Sequence, residues 1–233
     1  MPIFRTMLKF LPIILILCYG FAMWFFSAWR TKAELRQNST PLDHPALKPL
    51  LARLGRAMDL PSIRAQVYEI PIVNGLAAPD GRIYITRGFL NRMEAGEVTP
   101  EEIASVVAHE LGHVAHGHSQ RRMIDFAGQN VIRSILLMTL GRFLPFVGPW
   151  LVGLLVSALS ARLSQKDEFE ADRFATALLV KAGIGPDAQL SLFRKLDRMS
   201  GGRRAAAPAW LLSHPPTPAR IAAIEANRAR WQG

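Results

Sequence analysis

Cysteine is almost absent: Cys18 is the only one among 233 residues. No intramolecular disulfide can form, and a metal site built from cysteine thiolates is excluded. Cys18 does not suit lipid attachment either, because Leu17 precedes it where bacterial lipoprotein processing needs a small residue. Acidic residues are in deficit, with 18 Asp and Glu against 28 Lys and Arg, for a formal net charge of +10. The basic residues are scattered from Arg5 to Arg230 with no long run and no known nucleic-acid module, so no nucleic-acid partner is expected. Anionic lipid headgroups fit this charge better, beside the plainer reading of a basic solvated surface. Internal repeats are missing and strand-like stretches are few, which predicts a mainly α (α+β) fold.

Long uncharged stretches, by contrast, are present. Residues Phe10 to Ala28 carry no charge over 19 positions, flanked by Arg5 and Lys9 before and Arg30 and Lys32 after. As a helix this run spans about 29 Å, close to the hydrocarbon thickness of a bilayer. It lacks a small-x-small cleavage site, and Trp24, Phe25, Phe26 and Trp29 gather at its far end like an interfacial belt. The expectation is an uncleaved anchor over residues 1–30, a polar linker over 31–46 and one domain over 47–233. A second apolar region, Val131 to Leu159, is interrupted by Arg133, Arg142, Pro145, Gly148 and Pro149. It reads equally as a hairpin that dips into a membrane and as a buried pair of core helices. Residues 201–208 read as a flexible basic loop.

The chemistry-bearing stretch is His109-Glu110-Leu111-Gly112-His113. On a helix, His-Glu-x-x-His puts two imidazoles one turn apart on one face, where both can bind one Zn²⁺. The intervening Glu110 then stands beside the metal's open position and can take a proton from water there. The helix has a clear start: Thr99 as N-cap, Pro100 in the first turn and Glu102 completing a capping box. Ile103, Val106, Val107, Leu111 and Val114 follow at helical spacing, so the helix is expected to be buried beside the motif. Two histidines leave a zinc site short of a ligand. Glu168 is the best third candidate, and Asp172, one turn on, can accept the ring N–H of a ligand histidine. Glu170 is expected to pair with Arg173 or face solvent, and His118 to make a structural hydrogen bond. Gly81-Arg82-Ile83-Tyr84-Ile85-Thr86 alternates after an Asp-Gly turn, which predicts a strand.

Four segments, in order, resemble the HtpX-type zinc metallopeptidases, a group that includes the CAAX prenyl endopeptidases and the periplasmic BepA-type proteases. They are Asn74 to Leu90, His109 to His118, Glu168 to Asp172, and His214-Pro215-Pro216-Thr217 with Arg220-Ile221 following. The resemblance spans about Leu47 to Trp231. It implies a gluzincin-type fold, one Zn²⁺ per chain held by His109, His113 and Glu168, and endopeptidase activity on protein or peptide substrates. It also implies that His214 lies over the active site, where a stiff segment before Pro215 and Pro216 would present it. There it could block the open zinc position, donate to an oxyanion, or simply be structural. The strand Ile83, Tyr84, Ile85, Thr86 is expected to offer an edge to an extended substrate. The function expected is membrane-anchored proteolysis in envelope quality control, at a cell inner membrane with the domain on the periplasmic side. The alternative is a metal-binding membrane chaperone or assembly factor with little proteolysis.

Overall fold

The structure, a computed structural model, describes residues 2–78, 80–144, 147–200, 209–215 and 217–232. It does so without the side chains of 2–17, 24, 28, 119, 123, 124, 126, 127, 139–142, 196, 197, 199, 200, 211 and 232. The expected basic loop, 201–208, Pro216 of the His-Pro element and the side chains 10–17 of the expected anchor therefore lie outside the described residues. The chain divides into two units, Met1–Thr40 and Pro41–Gly233.

The first unit is one helix, α1 (Pro2–Gln37), which exposes Tyr19, Phe21, Phe25, Phe26 and Trp29. The first part of the expected linker is thus helical. Ala33, Glu34, Leu35 and Arg36 are good helix formers, and nothing breaks the helix before Asn38. Among the described residues, no helix is long and apolar enough to cross a membrane. A short strand, β1 (Ser39–Pro41), falls at the division between the units.

In the second unit, α2 (Lys48–Ala57) precedes β2 (Ala65–Tyr68), β3 (Gly75–Ala77) and β4 (Ile83–Thr86). Then come α3 (Arg87–Glu94), α4 (Pro100–Ala115), α5 (His118–Phe143), α6 (Gly148–Lys181), α7 (Asp187–Ser200), α8 (Ala209–Ser213) and α9 (Pro218–Gln232). β4 pairs in parallel with β2 and antiparallel with β3, so it lies inside the sheet. This corrects the expectation that Ile83, Tyr84, Ile85 and Thr86 form an exposed edge. All four are buried, because Ile-Tyr-Ile-Thr is apolar or β-branched on both faces and suits a central strand. The terminal strand on this side is β3.

The core surrounds α4, which is buried from Glu102 to His113. Its start is fixed as expected: Thr99 Oγ1 accepts from the Glu102 N–H, and the Thr99 N–H donates to Glu102 Oε2. The same carboxylate accepts from Ser191 Oγ at 2.6 Å and Lys195 Nζ at 2.9 Å, which ties α7 to the first turn of α4. Gly117 ends the helix with φ 63°, a left-handed turn that starts α5 at His118. α5 and α6 then form a hairpin. Its outer face exposes Phe143, Val147, Trp150, Leu154 and Leu155, so residues 131–159 are not a buried core pair.

α4 and α6 touch backbone to backbone at Gly112. A Cβ there would sit 2.9 Å from Ala171 Cα and 3.0 Å from the Ala171 carbonyl oxygen, atoms that cannot rotate away. Gly112→Ala is therefore expected to destabilise by about 1–3 kcal/mol, outweighing the helix propensity gained. Gly153→Ala, where a Cβ meets nothing within 4 Å, is expected to be neutral or stabilising by up to about 1 kcal/mol. Chemical denaturation of the two variants checks the contrast, and equal midpoints would refute the close approach.

Candidate metal centre

Four elements bring their side chains to one buried point. One turn of α4 supplies His109, Glu110 and His113, and α6 supplies Glu168 and Asp172. His214 directly follows α8 and its N–H donates to the Trp210 carbonyl at 2.8 Å, and α9 supplies Arg220. The chain thus brings together every metal and catalytic residue expected from sequence: His109, Glu110, His113, Glu168, Asp172 and His214. All six are buried.

The ring nitrogens converge. His109 Nε2 and His113 Nε2 are 3.1 Å apart, and Glu168 Oε2 and Oε1 lie 3.4 and 3.5 Å from them respectively. His214 Nδ1 lies 3.3 Å from His109 Nε2 and 2.8 Å from Glu168 Oε2. Ligands about 2.0–2.1 Å from a tetrahedral Zn²⁺ are separated by roughly 3.3 Å, so these spacings fit one such ion. Three nitrogens and a carboxylate, all within 4.8 Å of one another, also suit a divalent metal chemically.

A second layer holds these groups. His109 Nδ1 lies 3.0 Å from Asp172 Oδ1. Asp172 in turn accepts from Arg220 Nε at 2.6 Å and Nη2 at 2.9 Å, and from Gln189 Nε2 at 3.3 Å. Arg220 Nη1 reaches Glu168 Oε2 at 3.2 Å and donates to the Pro215 carbonyl at 3.0 Å. Its guanidinium lies over the Phe193 ring. Glu110 Oε1 accepts from Trp210 Nε1 at 3.4 Å and lies 3.5 Å from His214 Nε2. Behind His113, His118 Nδ1 lies 2.7 Å from His113 Nδ1, while His118 Nε2 faces Glu170 Oε2 at 3.1 Å. Glu170 therefore pairs with His118 and with Arg121, not with Arg173. His116 is exposed and stacks on His118.

Sequence reasoning gave no role to Arg220, Trp210 or Gln189. Arg220 follows the His-Pro element, but its sequence carries no sign that it faces Asp172, 48 positions earlier. A lone tryptophan such as Trp210 reads as core, and it is also core.

Electrostatics follow from this packing. Burial pushes Glu168 up, but hydrogen bonds from His109 and His214 overcome it and hold the carboxyl well below its usual range. Asp172 behaves alike: burial raises it, and His109 with Arg220 brings it below the ordinary value. Burial lowers His109, yet the Asp172 and Glu168 carboxylates more than reverse this and raise it to about 9. His113 is lowered to about 2, first by burial and then by the charge on His109.

The peptidase family M48 model matches residues 41–228. Metalloprotease LoiP of Escherichia coli (strain K12) is 30% identical over 153 residues, covering 65% of this chain and 58% of LoiP. Metalloprotease YcaL of the same organism is 30% identical over 174 residues, 75% of this chain and 65% of YcaL. Protease HtpX homolog 1 of Streptomyces coelicolor (strain ATCC BAA-471 / A3(2) / M145) is 32% identical over 108 residues, 45% of this chain and 34% of that protein. The chain thus spans less than two thirds of the length of each of these relatives.

With His109 raised to about 9 by the Asp172 and Glu168 carboxylates, its ring carries a second proton at pH 7 when no metal is bound. A metal at Nε2 must displace it. Titration calorimetry at pH 7 in buffers of different ionisation enthalpy is expected to show about one proton released per metal bound. Affinity should rise by about tenfold per pH unit from 7 towards 9, then level off. A flat profile over that range would contradict the assignment.

Proposed function

The chain belongs to peptidase family M48, and on that premise we propose that it is a zinc-dependent endopeptidase acting on protein or peptide substrates. The observation that carries this is the tetrahedral spacing of His109, His113, Glu168 and His214 with Glu110 alongside. When bound, Zn²⁺ would supply Lewis acidity to the scissile carbonyl and a lowered pKa to the attacking water. His109, His113 and Glu168 would hold the ion. Glu110 would accept the water's proton and return it to the leaving amine. Asp172 and Arg220 would keep the His109 ring in the tautomer that leaves Nε2 free.

His214 supports a latent state. Its Nδ1 sits at the fourth corner of the ligand set and its Nε2 lies 3.5 Å from Glu110, so the ring fills the space that water needs. Catalysis then requires the segment after α8 to swing away. The same occlusion favours one second reading, a metal-binding chaperone with little proteolysis.

Substrate would add beside β3. In its pairing with β4, Leu76 opposes Tyr84 and Ala78 donates to the Arg82 carbonyl, so the backbone groups of Ala77 point to the other side. An extended peptide can bond to that side and run along α4. Membrane attachment is the remaining part of the proposal, by α1 over residues 10–28 and by the tip of the α5–α6 hairpin. The hairpin supports this with its exposed Phe143, Trp150, Leu154 and Leu155 and with a sequence that holds no Asp or Glu between Asp125 and Asp167. Envelope protein quality control, with the domain on the periplasmic face, is the role that joins these features.

Glu110→Gln is expected to keep the metal and to lower casein hydrolysis by about 10²–10⁴-fold. His214→Ala is expected to keep the metal and to raise basal hydrolysis. A fall of about 10²–10³ in His214→Ala would instead make His214 an oxyanion donor. Substantial hydrolysis by Glu110→Gln would defeat the mechanism, and none by any metal-loaded variant would leave the chaperone.

Membrane attachment is tested by fractionating cells that express the chain without residues 2–30. Most of the protein is expected to leave the membrane, and Phe143→Gln with Trp150→Gln should release the remainder. Unchanged association after all three changes would remove both elements from the proposal.

A further inference from the structure

The two ligand histidines on α4 are held differently. His109 turns its Nδ1 to a carboxylate, Asp172, at 3.0 Å. His113 turns its Nδ1 to a second imidazole, His118 Nδ1, at 2.7 Å. His118 is fully buried, and its other nitrogen, Nε2, faces Glu170 Oε2 at 3.1 Å and Asp167 Oδ1 at 3.7 Å. Glu170 also accepts from Arg121 Nη1 at 3.0 Å.

The direction of this chain of bonds follows from where His113 Nε2 faces. His113 Nε2 points at the ligand cluster and must offer a lone pair there, so in a neutral ring the proton is on Nδ1. Two ring nitrogens 2.7 Å apart share one proton between them. His118 Nδ1 is therefore the acceptor, and the neutral His118 ring carries its own proton on Nε2, aimed at Glu170. Each group is satisfied in one arrangement only: Glu170 accepts from His118, His118 accepts from His113, and His113 is left with Nε2 free.

We propose that His118 and Glu170 are positioning residues for His113, a carboxylate–imidazole relay that fixes the tautomer and ring angle of this metal ligand. It rests on the metal-centre reading above. The plain alternative is a buried packing histidine at the start of α5, but packing alone would not need both nitrogens bonded in one consistent direction. His116, His118 and Glu170 are also close enough to hold a metal of their own. The relay argues against that, because His118 Nε2 bears a proton and Arg121 already answers Glu170.

The first test needs no variant. In the full-length Zn²⁺-loaded protein, ¹⁵N NMR of the histidine rings is expected to show His118 protonated at Nε2 and not at Nδ1, and His113 the reverse. The opposite tautomers would overturn the relay. The second test measures Zn²⁺ affinity by chelator competition, with the visible spectrum of the Co²⁺-loaded protein beside it. His118→Ala is expected to lose about 10–100-fold in affinity and to shift the Co²⁺ bands. His118→Asn, whose side-chain oxygen can stand in for the accepting Nδ1, is expected to recover most of both. Wild-type affinity and spectrum in His118→Ala would overturn the proposal, as would an His118→Asn protein that folds but binds no better than His118→Ala. Binding of more than one Zn²⁺ that drops by one in His118→Ala would overturn it in favour of a second site. His113→Ala separates the two readings: if it also keeps full affinity, the metal centre itself is misassigned.

Discussion

The buried pair of Asp172 and Arg220 joins the parts of the chain that must meet for the centre to exist. Arg220 arrives on α9, Asp172 on α6, and Asp172 touches His109 on α4. Both partners are about 98% buried or more, so neither can be satisfied by water. Removing one partner of such a pair typically costs about 3–5 kcal/mol, because the other is left charged and dry. Arg220 Nη1, the nitrogen not bonded to Asp172, donates to the Pro215 carbonyl, next to His214. One guanidinium thereby sets the angle of a ligand histidine, approaches the ligand carboxylate and fixes the segment that covers the site.

The close contact between α4 and α6 at Gly112 and Ala171 makes this pairing geometrically possible. A glycine between the two ligand histidines lets α6 approach until Glu168, one turn before Asp172, reaches both imidazoles. α6 is continuous from Gly148 to Lys181, so the same rod carries Trp150 and Leu154 at its exposed apolar end and the ligand carboxylate further along. From Trp150 to Glu168 is 18 residues, about 27 Å along the axis. A force on the hairpin tip acts on the helix that bears Glu168, with no break between them.

The parts legible in sequence were those written locally. The start of α4 was readable because Thr99, Pro100 and Glu102 lie within four positions, and the ligand pair because His109 and His113 are one turn apart. Glu168 and Asp172 were readable for the same reason. The sheet order was not local. Alternation over Ile83 to Thr86 marks a strand but not its neighbours, so an exposed edge was expected where β4 in fact pairs on both sides and Tyr84 and Thr86 are buried. The sequence of the hairpin fits two readings because periodicity cannot say whether an apolar helix has a neighbour. Arg220 and Trp210 were silent because their partners lie 48 and 100 positions away.

Formal charge explains why these residues belong together. Three buried carboxylates face the centre, Glu110, Glu168 and Asp172, against one buried cation, Arg220. Arg121 and Arg122 stand at the more exposed rim, where they answer Asp167 and Glu170, and Arg122 Nη2 also comes within 3.4 Å of Glu168 Oε1. With neutral imidazoles these buried groups are left two positive charges short of balance, which is the charge of one divalent cation. A buried site of that kind is costly without its ion, and the raised His109 is the partial remedy: one proton in place of two charges. Metal binding removes that proton and supplies both charges at once, so the same burial that makes the metal-free centre unfavourable makes the loaded one tight.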